Sequence, residues 1–291
     1  MNFPRISASS YSNTAPLIWS FLYGSNHGRV EIILDNAPAR SAELLSQDRV
    51  DASLVPVIAY QFIDDARIIP NVCVGAKERV RSVCLVTKGE DLKDVRSVAL
   101  DISSRTSVVL TKIVFREFFG FEPEWRDAEP DIDAMLAGAD AALLIGDPAL
   151  SIADCRMRIA DLPVPSSVAV GELSTKSDYR KFDLAELWKQ YTGFGFVFAM
   201  WMTRRERCDI DFAAARDEGI DHIDEIVSNY ESEIQIGREE LQKYLSENIF
   251  YSIDETMQKG MELYFELAAK NGFIDSNKPL NIHSYQQTPI T

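Results

Sequence analysis

The chain has 291 residues, 46% of them hydrophobic and 26% charged, with a formal net charge of −15. That length suits two lobes better than one small domain and supplies a sizeable core. The acidic balance and the lack of any lysine–arginine run exclude the usual footprint of a nucleic-acid binder, and apolar runs such as Phe194 to Met202 fall far short of the roughly 20 residues of a membrane helix.

The start, MNFPRIS, has no basic segment followed by an apolar core and no small-residue cleavage site, which predicts a soluble cytoplasmic protein. Cys73, Cys84, Cys155 and Cys208 are widely spaced with no CxxC pair, so free thiols are expected.

Arg5 to Ala8 reads as a short strand and Thr14-Ala15-Pro16 as a helix start, where proline is tolerated. Val30 to Leu34, Asp51 to Val55, Val72 to Gly75 and Val80 to Thr87 read as strands, with a short helix over Ala39 to Gln47 and a helical turn over Val57 to Phe62. The polar connection Lys88 to Asp91 is where a second lobe is expected to begin. Within it, Val98 to Asp101, Phe121 to Trp125 and Asp140 to Ile145 read as strands, and Thr106 to Phe119 and Ile132 to Leu136 as helices. The alternation argues for parallel βαβ units, and the density of Ala142-Leu143-Leu144-Ile145 suits the centre of a sheet covered on both faces.

Arg158 to Lys181 carries the weakest pattern. Leu184, Leu187, Trp188 and Tyr191 share one face of a helix over Asp183 to Tyr191, Phe196 to Trp201 reads as a returning strand, and Phe212 onward is helical with breaks near Gly219, Gly237, Ile249 and Gly272. His283 to Thr291 reads as a frayed tail. The predicted division is 1–88 with 193–291 as one lobe and 89–192 as the other. Two crossings make a hinge, and a hinge between α/β lobes makes a cleft for a small ligand.

Three polar turns stand at strand ends. Ser9 to Asn13 precedes the first helix; capping alone accounts for such a turn, and so does an anion site at a helix N-terminus. Ser103, Ser104, Thr106 and Ser107, with Arg105 among them, put more hydroxyls at one helix start than a cap requires and suit a carboxylate. Gly146-Asp147-Pro148 reads as an N-cap and a proline-started helix, with Gly146 permitting close approach of a ligand. Arg40 and Ser82 stand at two further element ends. There is no HExxH, GxSxG, Walker lysine loop or GxGxxG, and His27, His222 and His283 lie away from the polar turns.

Six ordered segments carry a resemblance: SYSNTAPL (Ser10 to Leu17), VDASLVPVIAY (Val50 to Tyr60), VRSVCL (Val80 to Leu85), ALDISSRTSVVL (Ala99 to Leu110), DAALLIGDPAL (Asp140 to Leu150) and DLAELWKQYTGFGFVFAMW (Asp183 to Trp201). Together, and with a weaker match over YLSENIFYSID (Tyr244 to Asp254), they resemble the chorismate dehydratases of the futalosine route to menaquinone. Val57 and Gly195 depart from that pattern, standing where a small polar residue and a proline are common.

The resemblance implies an α/β, two-lobed fold like that of the periplasmic binding proteins, with a helical C-terminal segment. It also implies a small-molecule dicarboxylate, chorismate, as substrate, with no cofactor, metal, nucleic acid or membrane partner. Asn13 is then the expected catalytic residue, with Asp147 as a protein base if the substrate's own enolpyruvyl carboxylate does not take the ring proton. Ser10, Thr14, Arg40, Ser82, Ser103, Ser104, Arg105, Thr106, Ser107 and Gly146 are the expected substrate contacts. Three other readings compete: a binding protein or sensor of the same fold, the related enzyme acting on cyclic dehypoxanthine futalosine, and an interaction protein built on the acidic C-terminal helices.

Overall fold

The computed structural model describes residues 3–89, 91–152, 179–234 and 236–283. In chain order, the first half runs β1 (Arg5–Ser9), α1 (Ala15–Leu22), β2 (Glu31–Asp35), α2 (Pro38–Ser46), β3 (Ala52–Pro56), β4 (Arg67–Ala76), β5 (Val83–Thr87), β6 (Ser97–Asp101), α3 (Thr106–Ile113), β7 (Glu124–Ala128), α4 (Ile132–Gly138), β8 (Ala141–Ile145) and α5 (Gly146–Leu150). There follow β9 (Arg180–Asp183), α6 (Leu184–Thr192), β10 (Phe196–Thr203), α7 (Phe212–Asp221), α8 (Ile223–Tyr230), α9 (Arg238–Lys243) and α10 (Glu255–Lys270). No helix among the described residues is long and apolar enough to cross a membrane.

The strands form two five-stranded sheets, β2-β1-β3-β10-β4 and β7-β6-β8-β5-β9. Both are mixed where the alternation of elements predicts parallel ones. β2, β1 and β3 run parallel while β10 lies antiparallel between β3 and β4; β7, β6 and β8 run parallel while β5 lies antiparallel between β8 and β9. Each antiparallel strand lies next to a crossing between the sheets, so its direction is set by how the chain arrives.

The first crossing falls between Ala76 and Val83, ahead of the polar connection at Lys88 to Asp91, because β5 bonds within the second sheet. The buried Asp183 anchors that crossing: its carboxylate accepts from Val80 N at 3.3 Å and Arg81 N at 2.6 Å while capping α6 through Ala185 N and Glu186 N. Arg81 there adopts a left-handed φ of 65°.

Elsewhere the boundaries move for local reasons. The helix expected from Thr106 to Phe119 is α3 followed by a π-helical stretch, Val114–Phe119, closed by Gly120 at φ 76°. The strand expected at Phe121 to Trp125 is displaced to β7, and Ile282 bridges Ile68 of β4, so His283 is strapped down and buried where a frayed tail is expected. Cys73 and Cys208 are buried free thiols, and Cys84 is buried. Cys155, most of Arg158 to Lys181 and the tail beyond His283 lie outside the described residues.

One apolar cluster runs through both sheets, joining Ile6 and Trp201 of the first to Leu85 and Leu143 of the second, and a smaller one covers the far face of the second sheet around Cys84 and Leu144. α1 is buried almost all round; Phe21 meets Trp201 and Phe212 with ring centroids 6.3 and 5.8 Å apart. Burial of each such side chain stabilises by about 1.5–3 kcal/mol, so the helix that starts at the first polar turn is a rigid part. Gly219, read as a helix break, lies inside α7, where a Cβ would stand 1.9 Å from Pro16 O. It is there for close approach of α7 to α1. Gly219→Ala is accordingly expected to cost about 1–3 kcal/mol, measurable as a lowered denaturation midpoint with unchanged denaturant dependence.

Candidate active site

The carboxyl ends of the parallel strands in both sheets point toward the space between the lobes, which is where ligands lie in open α/β folds. The turns after β1, β2, β6, β7 and β8 all contribute residues there. A small cavity of about 60 Å³ lies between Asn13, Thr14 and Pro38 of the first lobe and Ser104, Arg105, Thr106, Ser107 and Gly146 of the second, floored by Leu54, Val74, Val83, Phe198 and Ala199. Among its described lining residues there is no histidine, lysine, aspartate or glutamate. Its polar groups are the hydroxyls and carboxamide of the two turns, the first turn of α3, and the Arg105 cation.

The hydroxyls at α3 are partly committed. Ser104 Oγ accepts from Ser107 N at 3.3 Å, capping the helix, and Thr106 Oγ1 accepts from Ile58 N at 3.3 Å across the lobes. Each keeps its O–H for another acceptor. Arg105 reaches Glu43 of the first lobe at 3.2 Å and is half exposed. Thr14 is spoken for: its Oγ1 donates to Ser9 O at 2.6 Å or Tyr11 O at 2.8 Å, holding the turn.

Tyr11 separates this cavity from a wider cleft of about 680 Å³ that is lined by Ser10, Asp35, Arg40, Glu43, Ser103, Glu129, Asp147 and Glu233, among others. Ser10 donates to Asn36 Oδ1 at 2.5 Å and Arg40 pairs with Glu43 at 3.0 Å, so both belong to the cleft and not to the inner cavity. Ser103 donates to the buried Asp101 through N at 2.9 Å and Oγ at 2.6 Å. Burial pushes the Asp101 carboxyl up despite those bonds. The Tyr11 hydroxyl lies beside Ser103, and burial raises it to about 12. A Cβ at Gly146, φ 64°, would stand 2.7 Å from the Tyr11 ring, so only glycine lets the ring lie flat on this turn.

Asp147 lies on the cleft side. It accepts from Ser12 N at 3.2 and 3.1 Å and from Ser12 Oγ at 2.5 Å, tying the first lobe to the second. Burial pushes its carboxyl above the ordinary range, the two Ser12 bonds pull it back, and Glu233 raises it further.

Asn13 and Ser82 are brought together, though 69 positions separate them in sequence, by a residue the turns do not announce. Tyr244, in the π-helical stretch Tyr244–Asn248 after α9, is fully buried with its hydroxyl beside Asn13 and Ser82. That hydroxyl has no partner in good hydrogen-bond geometry, a condition that costs about 1–3 kcal/mol when uncompensated. Tyr230 also reaches the site from the C-terminal helices, donating to Ser10 O at 3.1 Å. Tyr11 and Ser12 lie within the turn singled out from sequence; Tyr230 and Tyr244 are indistinguishable there from ordinary core tyrosines. A larger groove of about 820 Å³ runs by Arg5, Asp51 and Arg205 at the opposite strand ends, but Arg5 is paired with Glu31 and Arg205 with Asp51. Two of the four arginines that line it, Arg5 and Arg205, thus already hold carboxylates, while Arg49 and Arg207 line it as well.

The profile of a family described as menaquinone biosynthesis matches residues 4–270. A chorismate dehydratase of Thermus thermophilus is 31% identical over 264 residues, 88% of this chain and 92% of that protein. An Archaeoglobus fulgidus protein solved by structural genomics superposes with a TM-score of 0.64 at 17% identity, over 93% of this chain and 98% of that one. The periplasmic aliphatic sulphonate-binding protein of Escherichia coli does so with 0.63 at 14% identity, over 100% and 94%. A Candida albicans gene product with the generic periplasmic-binding-protein fold does so with 0.59 at 12% identity, over 99% of each chain. The fold expected from the sequence is therefore the fold observed.

Gly146→Ala forces a left-handed alanine and displaces the Tyr11 ring; a loss of about 1–2 kcal/mol of stability is expected from the backbone alone, read by urea denaturation. Burial also makes folded Asp147 hold its proton more tightly than the unfolded chain does. Stability of the native protein relative to Asp147→Asn is therefore highest below pH about 4, the unfolded value, and declines as pH rises through the raised folded value. Denaturation midpoints of both proteins across that range check the sign; a difference that grows with pH would contradict the assignment.

Proposed function

Given that this chain belongs to the menaquinone biosynthesis family, we propose that it removes water from chorismate to give 3-(1-carboxyvinyloxy)benzoate. The observation that carries the proposal is the cavity lined by neutral donors, a helix N-terminus and one arginine. Such a lining suits a dicarboxylate whose reaction needs positioning more than a strong base. Loss of the ring hydroxyl and the neighbouring ring hydrogen makes the ring aromatic, so the driving force is the substrate's own, and a correctly held pose supplies much of the remaining barrier reduction.

In this reading the first turn of α3 and the Ser104, Thr106 and Ser107 hydroxyls take one carboxylate, aided by the positive end of the helix. Asn13 holds the reacting part of the ring from the opposite lobe. With no histidine, lysine or carboxylate among the described lining residues, the enolpyruvyl carboxylate takes the ring proton. The C–H electron pair becomes part of the aromatic ring as the hydroxyl departs, and the proton passes to that hydroxyl, so that water leaves and the carboxylate regains its charge. Asp147, held by Ser12, then serves to close the lobes. The cavity of about 60 Å³ has room for no more than a few water-sized groups, so in this reading the lobes part or Tyr11 turns aside to admit the substrate. A cytoplasmic location goes with this reading.

The test is incubation of purified protein with chorismate, following loss of the cyclohexadiene and appearance of the enolpyruvyl benzoate. Asn13→Ala is expected to lower turnover on the order of 100-fold, as for loss of one preorganised donor, while Asp147→Asn keeps measurable turnover. Chorismate binding without conversion would assign the cleft to a receptor. Abolished turnover in Asp147→Asn with binding retained would transfer the proton to Asp147.

A further inference from the structure

We infer that Tyr244 is a positioning residue: its hydroxyl donates to Asn13 Oδ1, so that the Asn13 amide N–H groups are directed into the interlobe cavity. The inference rests on the site reading above, and four observations on the chain's own residues support it.

Tyr244 is 0% exposed, and its hydroxyl has no completed hydrogen bond, although it lies beside two polar side chains, those of Asn13 and Ser82. A buried phenol is normally placed where its O–H finds a partner. Asn13 in turn lines the cavity, Tyr244 does not, and so the hydroxyl sits behind the carboxamide relative to any ligand. Finally, Tyr244 opens a π-helical stretch, Tyr244–Asn248, in an otherwise regular C-terminal helix, and such widened turns concentrate at functional sites because they re-aim a side chain.

The inferred direction is the one that leaves the Asn13 donor for the ligand. An asparagine facing two ways can present either its oxygen or its nitrogen to a ligand. A tyrosine whose O–H donates to Oδ1 selects the orientation in which Nδ2 faces the cavity, which is the donor an anionic ligand or a departing hydroxyl needs. Ser82 completes the chain from the other side. Its Oγ lies 3.5 Å from Val80 O, at the outer limit of a hydrogen bond, and is available to donate to the Tyr244 oxygen. Ser82 also ties this group to the second lobe, since its carbonyl accepts from Gly146 N at 2.8 Å. Burial pushes the Tyr244 hydroxyl well above the ordinary phenol range, so it remains a donor throughout the accessible pH range. The hydroxyl lies beside Asn13 and Ser82, and Tyr244 is not among the residues that line the cavity, so it acts through them and not on the substrate.

The experiment is Tyr244→Phe, which removes one oxygen and keeps the ring, read in two independent ways. In protein labelled with nitrogen-15 at asparagine, the Asn13 side-chain amide signals, assigned by their loss in Asn13→Ala, are expected to shift in Tyr244→Phe. Chorismate turnover is expected to fall on the order of 10- to 100-fold in kcat, the scale of a displaced positioning group, with KM within about twofold and the thermal midpoint unchanged. Ser82→Ala provides the second variant, and its effect on kcat is expected to be smaller in the Tyr244→Phe background than alone, as for residues acting through one group. Unmoved Asn13 signals in Tyr244→Phe overturn the inference, as does unaltered kcat in an active protein. A native protein inert toward chorismate, with the Asn13 signals still moved by Tyr244→Phe, would retire the proposed reaction and leave the positioning role standing.

Discussion

The contact between Ser12 and Asp147 governs the geometry of everything around it. A carboxylate from the start of α5 takes both the backbone N–H and the hydroxyl of a residue in the turn before α1, so the two lobes meet at a fixed register. That register lays the Tyr11 ring on Gly146 and sets Asn13 opposite the first turn of α3. It also brings Ile58 N to Thr106 Oγ1. A charge-assisted bond in a half-buried place is strong, yet burial works against the same charge. The contact is thereby held by two opposing effects on one carboxylate.

The division of charge between the two spaces is equally marked. The outer cleft carries Asp35, Glu43, Glu129, Asp147 and Glu233 against Arg40, while the inner cavity carries Arg105 and neutral donors. An anion is thus disfavoured at the mouth and favoured inside. Arg105 and Arg40 both face Glu43, which neutralises part of the cation's reach until a ligand competes for it. On a chain of net charge −15, local dipoles and one arginine are what make an anion site physically possible.

Rigid parts surround this site. α1 is wedged between the first sheet and α7, with Gly219 allowing their close approach, and Gly260 does the same for α10, where a Cβ would stand 2.0 Å from Gly195 O. Gly195, one of the two departures from the pattern the resemblance implies, packs directly under α10. Val57, the other departure, is fully buried and offers no hydroxyl. The hydroxyl at that point of the fold comes instead from Thr106, which receives the neighbouring Ile58 N–H.

The local chemistry of this protein was determined by its sequence. A strand followed by clustered serine, threonine and asparagine, then a proline-started or cap-poor helix, yields a donor-rich turn through contacts a few residues apart, and so Ser9 to Thr14 and Ser103 to Ser107 were legible without coordinates. The tertiary structure decided which of those donors remain available. Thr14 spends its hydroxyl on its own turn and Ser10 and Arg40 face the outer cleft, while Ser12, outwardly one more polar turn residue, meets a carboxylate 135 positions away. It likewise decided that β5 joins the second sheet, through a buried aspartate 100 residues further on that no local pattern marks. Tyr244 is the extreme case. Apolar periodicity reports that a tyrosine is buried, but the neighbours of its one polar atom are supplied by two distant strand ends, and contacts of that separation are written in the packing of lobes and not in the spacing of residues.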